Sequence, residues 1–320
     1  MITLAHVYIV GGLFFAAVSI LSLRDGANPR RVRNFAFWGL LAVSFLAGQF
    51  LGDLGNGVLV LGLVALAALG LGQGRPETTS PEQRRASAER RGNLLFLPAL
   101  IIPAVALAGT MAAKQTQWGP LLIDPAQATL VSLVLGVLIA LGVLMLWLRP
   151  PLVAPLQEGR RLLDSVGWAV ILPQMLASLG AVFLAAGVGE QVGAVFAQYI
   201  PLDSRTVAVA AYCIGMALFT IIMGNAFAAF PVMTAAVGLP FVVGEFGGDP
   251  ARVCAIGMLA GFCGTLMTPM AANFNVVPAN LLELPDRNAA LNGVIRAQIP
   301  TAIPLLLANI VLMRLLAFPA

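Results

Sequence analysis

The sequence predicts an all-α integral membrane protein with about seven full spans, one re-entrant helical hairpin and one discontinuous helix. Of its 320 residues, 59% are hydrophobic and only 10% are charged, and the mean hydropathy is +0.93. Such a composition is typical of a chain buried in lipid. Apolar runs close to the length of a membrane-spanning helix recur along the chain. Two short polar stretches interrupt the apolar sequence in its second half.

Apolar runs predict the spans in order. The first half contains five, at residues 4–23, 34–51, 57–72, 93–113 and 128–148. The first run is expected to be a retained span and not a signal peptide, because its positive charges follow it and no small-residue cleavage site ends it. In the second half, residues 168–188 and 300–318 predict two more full spans, and residues 191–203 predict a helix on the outer surface.

The basic residues predict the orientation of the chain. Fourteen of the 18 Lys and Arg residues fall in four connectors, which the positive-inside rule assigns to the cytoplasm. Both termini are then expected outside a bacterial cytoplasmic membrane. Arginines scattered over four loops do not form a nucleic-acid surface, so no nucleic-acid partner is expected, and lipid is the surrounding medium.

The sequence carries none of the patterns that we would expect of an enzyme or a metal site. Cys213, Cys254 and Cys263 lie in apolar segments without a CxxC pair, and His6 is the only histidine. There is no HExxH motif, no intramembrane acid pair and no Ser–His arrangement. We therefore predict no catalytic activity, no metal and no cofactor.

The second half contains the two polar interruptions. Residues 206–223 and 226–243 are apolar, but only Gly224 and Asn225 separate them, which is short for a cytoplasmic turn between two full spans. We predict a re-entrant hairpin over 206–243, with two full spans as the alternative. Residues 250–284 predict a discontinuous helix, in which 264–275 are unwound and Pro269 prevents the helix from continuing.

A hairpin tip and an unwound helix would bring helix ends and polar groups together at membrane depth, where backbone groups must be satisfied or line a cavity. N-terminal helix ends suit a carboxylate, and carbonyls suit Na⁺. The alternative is that these residues only pack helices together. The predicted substrate- and ion-binding residues are Thr220, Gly224, Asn225, Ala226, Gly264, Thr265, Thr268, Pro269, Asn273 and Asn275.

A coupling ion is expected to be Na⁺ or H⁺. Na⁺ is favoured because the predicted ligands are neutral oxygens. The carboxylates close to these residues are Glu245, Glu283 and Asp286. All of them lie in connectors or near span ends, where a proton relay at membrane depth is not expected.

Four segments in the second half carry a resemblance to a known family: residues 172–180 (LPQMLASLG), 215–220 (GMALFT), 223–230 (MGNAFAAF) and 263–275 (CGTLMTPMAANFN). The chain resembles a bacterial membrane-protein family described as one subunit of a two-subunit 5-oxoproline (pyroglutamate) transporter. That family looks related to the ion transporter superfamily of secondary carriers. The likeness is close over about residues 160–316 and generic before that.

The resemblance implies an ion-coupled carrier subunit for a small carboxylate, working by an elevator mechanism between two inverted repeats. It implies that residues 1–150 form a five-span scaffold and interface region and that 151–320 form the transport region. The sequence shows only one pair of hairpin and broken helix, and the first half has no Asn-containing interruption to match. A second membrane subunit, or a second copy of the chain, would supply the missing pair. The alternative is a structural or regulatory subunit that does not itself transport.

Overall fold

The computed structural model describes residues 1–72, 74, 76, 79–116, 118–200, 203–282 and 289–318. The backbone alone is described for Pro81, Pro120, Pro173, Ala177, Ala272, Asn273 and Asn280. This part of the chain is almost entirely helical and contains no strand apart from one isolated bridge between Ile2 and Ile123. Eight helical runs are long and apolar enough to cross a membrane. The protein is therefore an all-α integral membrane protein, as its composition predicts.

The helices follow one another with short connections. Within the described residues the α-helices are α1 (Leu4–Arg24), α2 (Arg31–Ala68), α3 (Pro81–Arg91), α4 (Leu97–Gln115), α5 (Gly119–Leu122), α6 (Ala128–Leu148), α7 (Ala154–Val166), α8 (Leu172–Ala185), α9 (Val188–Tyr199), α10 (Arg205–Met223), α11 (Ala226–Met233), α12 (Pro250–Thr265), α13 (Val277–Leu281) and α14 (Ala290–Leu316). Short 3₁₀-helices cover Gly92–Phe96, Pro125–Gln127 and Gly167–Ile171, and π-helices cover Thr234–Glu245 and Ala272–Val276.

The chain divides into two compact units, Met1–Gly167 and Trp168–Ala320. The structural boundary therefore lies after α7, whereas the sequence places it at residues 150 and 151. The reason is that α7 packs on α1: a β-carbon at Gly159 would lie 2.8 Å from the ring of Phe14. Helix α7 thus belongs with the first five predicted spans.

Helix α2 of the first unit is a hairpin and not one long helix. Gly52 has φ 61° and ψ −176°, a conformation that breaks the helix. Beyond it the chain folds back, so that Gly62 lies against Leu40. The two arms correspond to the predicted spans at 34–51 and 57–72. Asn56 satisfies the carbonyls that the break releases, because its Nδ2 donates to the oxygens of Gly48 and Gly52 at 2.8 and 2.9 Å.

This turn contains an asparagine, but it lies between the two predicted spans, at residues 52–56. The turn differs from the interruptions of the second half because its flanks are exposed: Phe50 and Leu54 are 78% and 85% exposed. Both N–H groups of Asn56 are used within the turn. It therefore does not supply a second copy of the predicted site.

A buried charge cluster ties the first unit together. Arg160 of α7 pairs with Asp25, lies 3.9 Å from Asp164 and donates to the carbonyl of Leu21 at 2.8 Å. Its side chain is 5% exposed. Asn34 extends the cluster by donating to Asp164 Oδ1 at 3.2 Å. A single guanidinium therefore compensates two buried carboxylates.

The same cluster brings three basic connectors to one side of the unit. It joins the end of α1, the start of α2 and α7, and Asn34 also accepts a hydrogen bond from the backbone N–H of Gly72 at 3.1 Å. At the other end of α1, the N–H of Ile2 donates to the carbonyl of Leu122 at 2.7 Å, and the carbonyl of Ile2 accepts the N–H of Asp124 at 3.1 Å. The connectors are grouped as the positive charges predict, while the side that faces the cytoplasm stays a prediction.

In the second unit, α10 and α11 form a hairpin whose open end lies beside the end of α14. Thr206 accepts a hydrogen bond from Arg314, and the N–H of Asp249 donates to Ala317 O at 2.7 Å. The tip lies at the other end of α10, about 27 Å away at 1.5 Å per residue. The arms have 19 and 20 residues, long enough to cross the core of about 30 Å. Arms of this length fit a re-entrant hairpin or two full spans, so re-entry stays a prediction.

Helix α9 packs on the second hairpin arm. Residues 191–203 were predicted to form an outer-surface helix; α9 is a helix there, its place at the surface stays a prediction, and Gly189 and Gly193 pack on the backbone of Val232 and Ala236, about halfway along the arm. Glycine allows this contact because it has no side chain to hold the backbones apart. The arm itself becomes a π-helix over Thr234–Glu245, which its apolar sequence did not indicate.

Replacing Arg160 by Leu should destabilise the protein by about 3–5 kcal/mol, because it leaves two buried carboxylates without their counter-charge. The matched control is Arg161→Leu. Arg161 is the next residue and pairs with Glu158, but both side chains are 32% exposed, so its loss should cost about 1 kcal/mol or less. Thermal unfolding of the purified variants in detergent measures both effects. Equal losses would show that the cluster does not hold the unit together.

Candidate functional site

The hairpin tip is a tight turn formed by Gly224 and Asn225. Gly224 ends α10 with φ 76°, the left-handed conformation that favours glycine, and its N–H donates to Thr220 O at 2.7 Å. Asn225 begins α11 as its N-cap, since its Oδ1 accepts the N–H of Phe227 at 2.7 Å. Two residues therefore end one helix and start the next.

The tip lies directly on the unwound part of the discontinuous helix. A β-carbon at Gly224 would come within 2.6 Å of Met270 Cβ and 2.7 Å of its carbonyl oxygen. Thr268 adds a hydrogen bond across the contact, because its hydroxyl donates to the carbonyl of Ile221 at 2.8 Å. That carbonyl lies in the last turn of α10, where no intrahelical donor is left for it. The two polar interruptions found in the sequence thus meet in space.

Asn275 stabilises the break in α12. The helix ends at Thr265, and the carbonyls beyond its last complete turn need other donors. Asn275 Nδ2 donates to Thr265 O at 2.9 Å and to Thr268 O at 2.6 Å. Pro269 lacks an N–H and could not have helped to continue the helix. One side-chain amide therefore closes the gap between the two halves.

Three glycines allow α12 to approach α10. A β-carbon at Gly257 would lie 2.4 Å from the hydroxyl of Tyr212, one at Gly261 would lie 2.7 Å from Met216 Cε, and one at Gly264 would lie 2.3 Å from the carbonyl oxygen of Ala217. Their spacing of four and three residues puts them on one face of the helix. The last of these contacts is with backbone, so Gly264 is where the two helices are closest.

Two fully buried oxygen atoms beside this contact have no hydrogen-bond partner in the described residues. They are Thr220 Oγ1 and Asn275 Oδ1. Thr220 lies against Gly264, and Asn275 is bonded to the carbonyl of Thr265, so both adjoin the last turn of α12. Leaving a buried polar atom unsatisfied costs about 1–3 kcal/mol. Such atoms are candidates to bind a cation, a water molecule or a polar ligand.

The predicted site residues have different roles in the structure. Gly224, Asn225, Gly264, Thr268 and Asn275 form the contact between tip and break, and Thr220 lies beside them. Thr265 turns its hydroxyl to its own helix, donating to Phe262 O at 2.6 Å, and Ala226 is buried against the position of Gly261. The side chain of Asn273 lies outside the described residues, as do Glu283 and Asp286.

An aromatic row next to the tip and one polar residue on α14 were not among the predicted binding residues. Phe262 contacts Phe227 edge to face, with ring centroids 5.9 Å apart, and lies at the same distance from Phe274. Gln298 donates to Phe274 O at 3.3 Å, and its Oε1 is a buried atom with no partner in the described part of the chain. A glutamine close to the start of the apolar run of α14 was the available signal for Gln298.

The described residues contain no group of three or more His, Cys, Asp or Glu that could hold a metal ion. The groups that meet here are carbonyls, hydroxyls and amides. Neutral oxygens of this kind suit Na⁺ or a hydrogen-bonding solute better than a transition metal.

These features define an all-α membrane protein in which a helical hairpin touches a broken helix. The chain belongs to the family described as Protein of unknown function (DUF979), whose model matches residues 5–318. Neither the curated proteins nor the solved structures include a significant match to it.

Replacing Gly264 by Ala should destabilise the protein by about 1–3 kcal/mol or more, because the new methyl group would overlap the backbone of α10. Gly293→Ala is the control: it also lies in a helix, but nothing stands within 4 Å of its β-carbon position. That change should stabilise by about 0.5–1 kcal/mol through helix propensity. Unfolding midpoints in detergent measure both, and two shifts of the same sign would contradict the close approach of α10 and α12.

Proposed function

We propose that this chain is a subunit of an ion-coupled secondary transporter for a small carboxylate. The observation that carries the proposal is the contact of the hairpin tip with the unwound segment, next to buried oxygens that lack partners. Non-helical backbone at membrane depth is tolerated where it is buried in protein or lines a cavity, and in secondary transporters it forms the substrate and ion sites. Two such segments in contact are hard to explain by packing alone.

The ends of the helices that meet at this contact suit two kinds of ligand, a carboxylate and a cation. Helix α11 starts at the tip, and its N-terminal N–H groups suit the carboxylate of a substrate. Helices α10 and α12 end there, and their carbonyls together with Thr220 Oγ1 and Asn275 Oδ1 suit Na⁺. Na⁺ is the preferred coupling ion in this proposal, with H⁺ as the alternative. The family resemblance in the sequence supplies 5-oxoproline as the candidate substrate.

The proposal includes a partner and an orientation. Only one hairpin tip in the described residues packs on a broken helix, so a second membrane subunit or a second copy of the chain would complete the transporter. The first unit, Met1–Gly167, would serve as scaffold and interface in place of the predicted residues 1–150, and the complex would lie in a bacterial cytoplasmic membrane with both termini of this chain outside. No catalytic step is proposed. His6, the only histidine in the sequence, pairs with Thr3 at the start of α1.

Uptake of labelled 5-oxoproline tests the carrier role. The complex that co-purifies with the tagged chain, and the chain alone, are reconstituted in proteoliposomes under an inward Na⁺ gradient, an inward proton gradient or neither. We expect accumulation by the complex under the Na⁺ gradient. If no labelled 5-oxoproline accumulates under any gradient, the proposal that the complex transports this substrate is wrong.

Replacing Thr220 by Val separates a binding role from a structural one. Valine has the same shape and removes a buried hydroxyl without a partner, so stability should stay the same or rise by about 1 kcal/mol. If the hydroxyl binds the ion, uptake should fall at least about ten-fold, the loss of one hydrogen bond or ligand contact, and half-saturation should need more Na⁺. The control is Thr110→Val in α4, whose hydroxyl bonds the carbonyl of Ala106 at 2.6 Å.

The result also tests the alternative function. A structural or regulatory subunit needs no ligand at Thr220, so a stable Thr220→Val variant with normal uptake and normal Na⁺ dependence would favour that alternative.

A further inference from the structure

Five buried polar atoms without a hydrogen-bond partner in the described residues surround the buried charge cluster of the first unit. Three of them are donors, at Trp38 Nε1, Asn28 Nδ2 and Arg160 Nε, and two are acceptors, at Asp164 Oδ2 and Ser22 Oγ. Each of these side chains is at most 5% exposed. Buried polar atoms are nearly always hydrogen-bonded, so a group of five requires an explanation.

The three donors converge on one carboxylate oxygen. Arg160 Nε lies 3.9 Å from Asp164 Oδ2, close enough for charge attraction but too far for a hydrogen bond. Trp38 Nε1 faces the same carboxylate. Asn28 Nδ2 faces it across Gly74, because a β-carbon at Gly74 would overlap Asp164 Oδ2 and lie 3.4 Å from Asn28 Nδ2. The donors therefore surround an acceptor that none of them reaches.

Ser22 lies on the side of the cluster that α1 forms. The guanidinium of Arg160 donates to the carbonyl of the preceding residue, Leu21, at 2.8 Å, and it also pairs with Asp25. Both of these partners lie within one helical turn of Ser22. The hydroxyl of Ser22 is therefore held beside the guanidinium.

The chain that follows α2 lies over the cluster. Asn34 donates to the carbonyl of Gly72 at 3.3 Å and accepts its N–H at 3.1 Å. The guanidinium of Arg30 donates to the carbonyl of Leu71 at 3.0 Å. A β-carbon at Gly72 would lie 2.8 Å from the carbonyl oxygen of Asp164. The cluster is therefore enclosed between α1, α2, α7 and this segment.

The chemistry of the five atoms selects water as their ligand. A metal ion would face three N–H groups, and an anion would be repelled because Asp25 and Asp164 outnumber the one guanidinium. The amide of Asn28 must present Nδ2 to the cluster, since its Oδ1 already accepts the N–H of Arg30 at 2.8 Å. Water both donates and accepts, and a buried water makes about three hydrogen bonds to protein groups.

We propose that the buried charge cluster of the first unit is a hydration site that holds two ordered water molecules. One water oxygen accepts only two hydrogen bonds, so the three donors need a second molecule. Between them the two waters accept from Trp38, Asn28 and Arg160 and donate to Asp164 Oδ2 and Ser22 Oγ. They also solvate the carboxylate for which the cluster has no second guanidinium, and they join α1, α2 and α7.

Replacing Ser22 by Ala tests the site without changing its charge. Removing a dry hydroxyl should leave the unfolding midpoint in detergent unchanged or raise it, whereas removing one that binds water should lower it by about 2–4 °C, the loss of one hydrogen bond. We expect the lower midpoint. An unchanged or higher midpoint would overturn the proposal.

The matched control is Ser132→Ala in α6. The Ser132 hydroxyl is also fully buried without a partner in the described residues, but it faces Gly109 of α4. The midpoint of this variant should stay the same or rise. A fall equal to that of Ser22→Ala would show that the loss does not report hydration, and the proposal would be wrong.

Two further measurements identify the ligand. A structure of the protein in lipid nanodiscs, at a resolution that shows ordered water, should place water within hydrogen-bond distance of Asp164 Oδ2 and Trp38 Nε1. Direct contact between these two atoms, with no water beside them, would overturn the proposal. The unfolding midpoint is also measured against NaCl concentration for the wild type and for Asp164→Asn, which keeps the pair of Asp25 and Arg160. An equal response is expected, and stabilisation of the wild type alone would indicate a cation in place of water.

Discussion

The hydrogen bonds of one buried amide, Asn275, are the constraint on which the second unit depends. A helix that stops inside the membrane exposes carbonyls that lipid cannot satisfy, and each would cost several kcal/mol. Asn275 donates both of its N–H groups to such carbonyls, at Thr265 and Thr268. This side chain therefore joins the two sides of the break, with the N–H of Ala271 as a second, longer donor to Thr268 O at 3.4 Å. The hairpin tip has a surface to rest on for the same reason, since the unwound segment from Thr268 to Met270 contacts it.

The need to satisfy backbone groups also determines contacts in the rest of the unit. A hairpin that turns at Gly224 leaves the last carbonyls of α10 without partners, and the hydroxyl of Thr268 reaches one of them. Helices α10 and α12 can pack closely only if no side chain separates them. Gly257, Gly261 and Gly264 meet this requirement because they have no side chain. Small residues and side-chain donors are the main means of holding helices together in lipid, where the hydrophobic effect gives no preference for protein neighbours over acyl chains.

The sequence located the two interruptions because Gly, Asn and Pro are conspicuous in an apolar run, and these residue types mark a break whatever surrounds them. It could not locate contacts made by backbone. Nothing at Ile221 signals that its carbonyl accepts the Thr268 hydroxyl, and nothing at Met270 signals that Gly224 lies against it. Periodicity also failed where an apolar run has no polar face, as in the second hairpin arm, where the structure has a π-helix from Thr234 to Glu245.

The hydrogen bond between Thr268 and Ile221 has a consequence for the motions of the second unit. It links two segments that are far apart in the chain, so neither the tip nor the break can open without disrupting the other. Segments coupled in this way unfold as one cooperative unit and share a single opening free energy. Hydrogen exchange of the amides in the last turns of α10 and α12 would therefore report a common opening free energy. A movement that keeps this hydrogen bond must displace the tip and the break together as one body, with its hinges outside the contact.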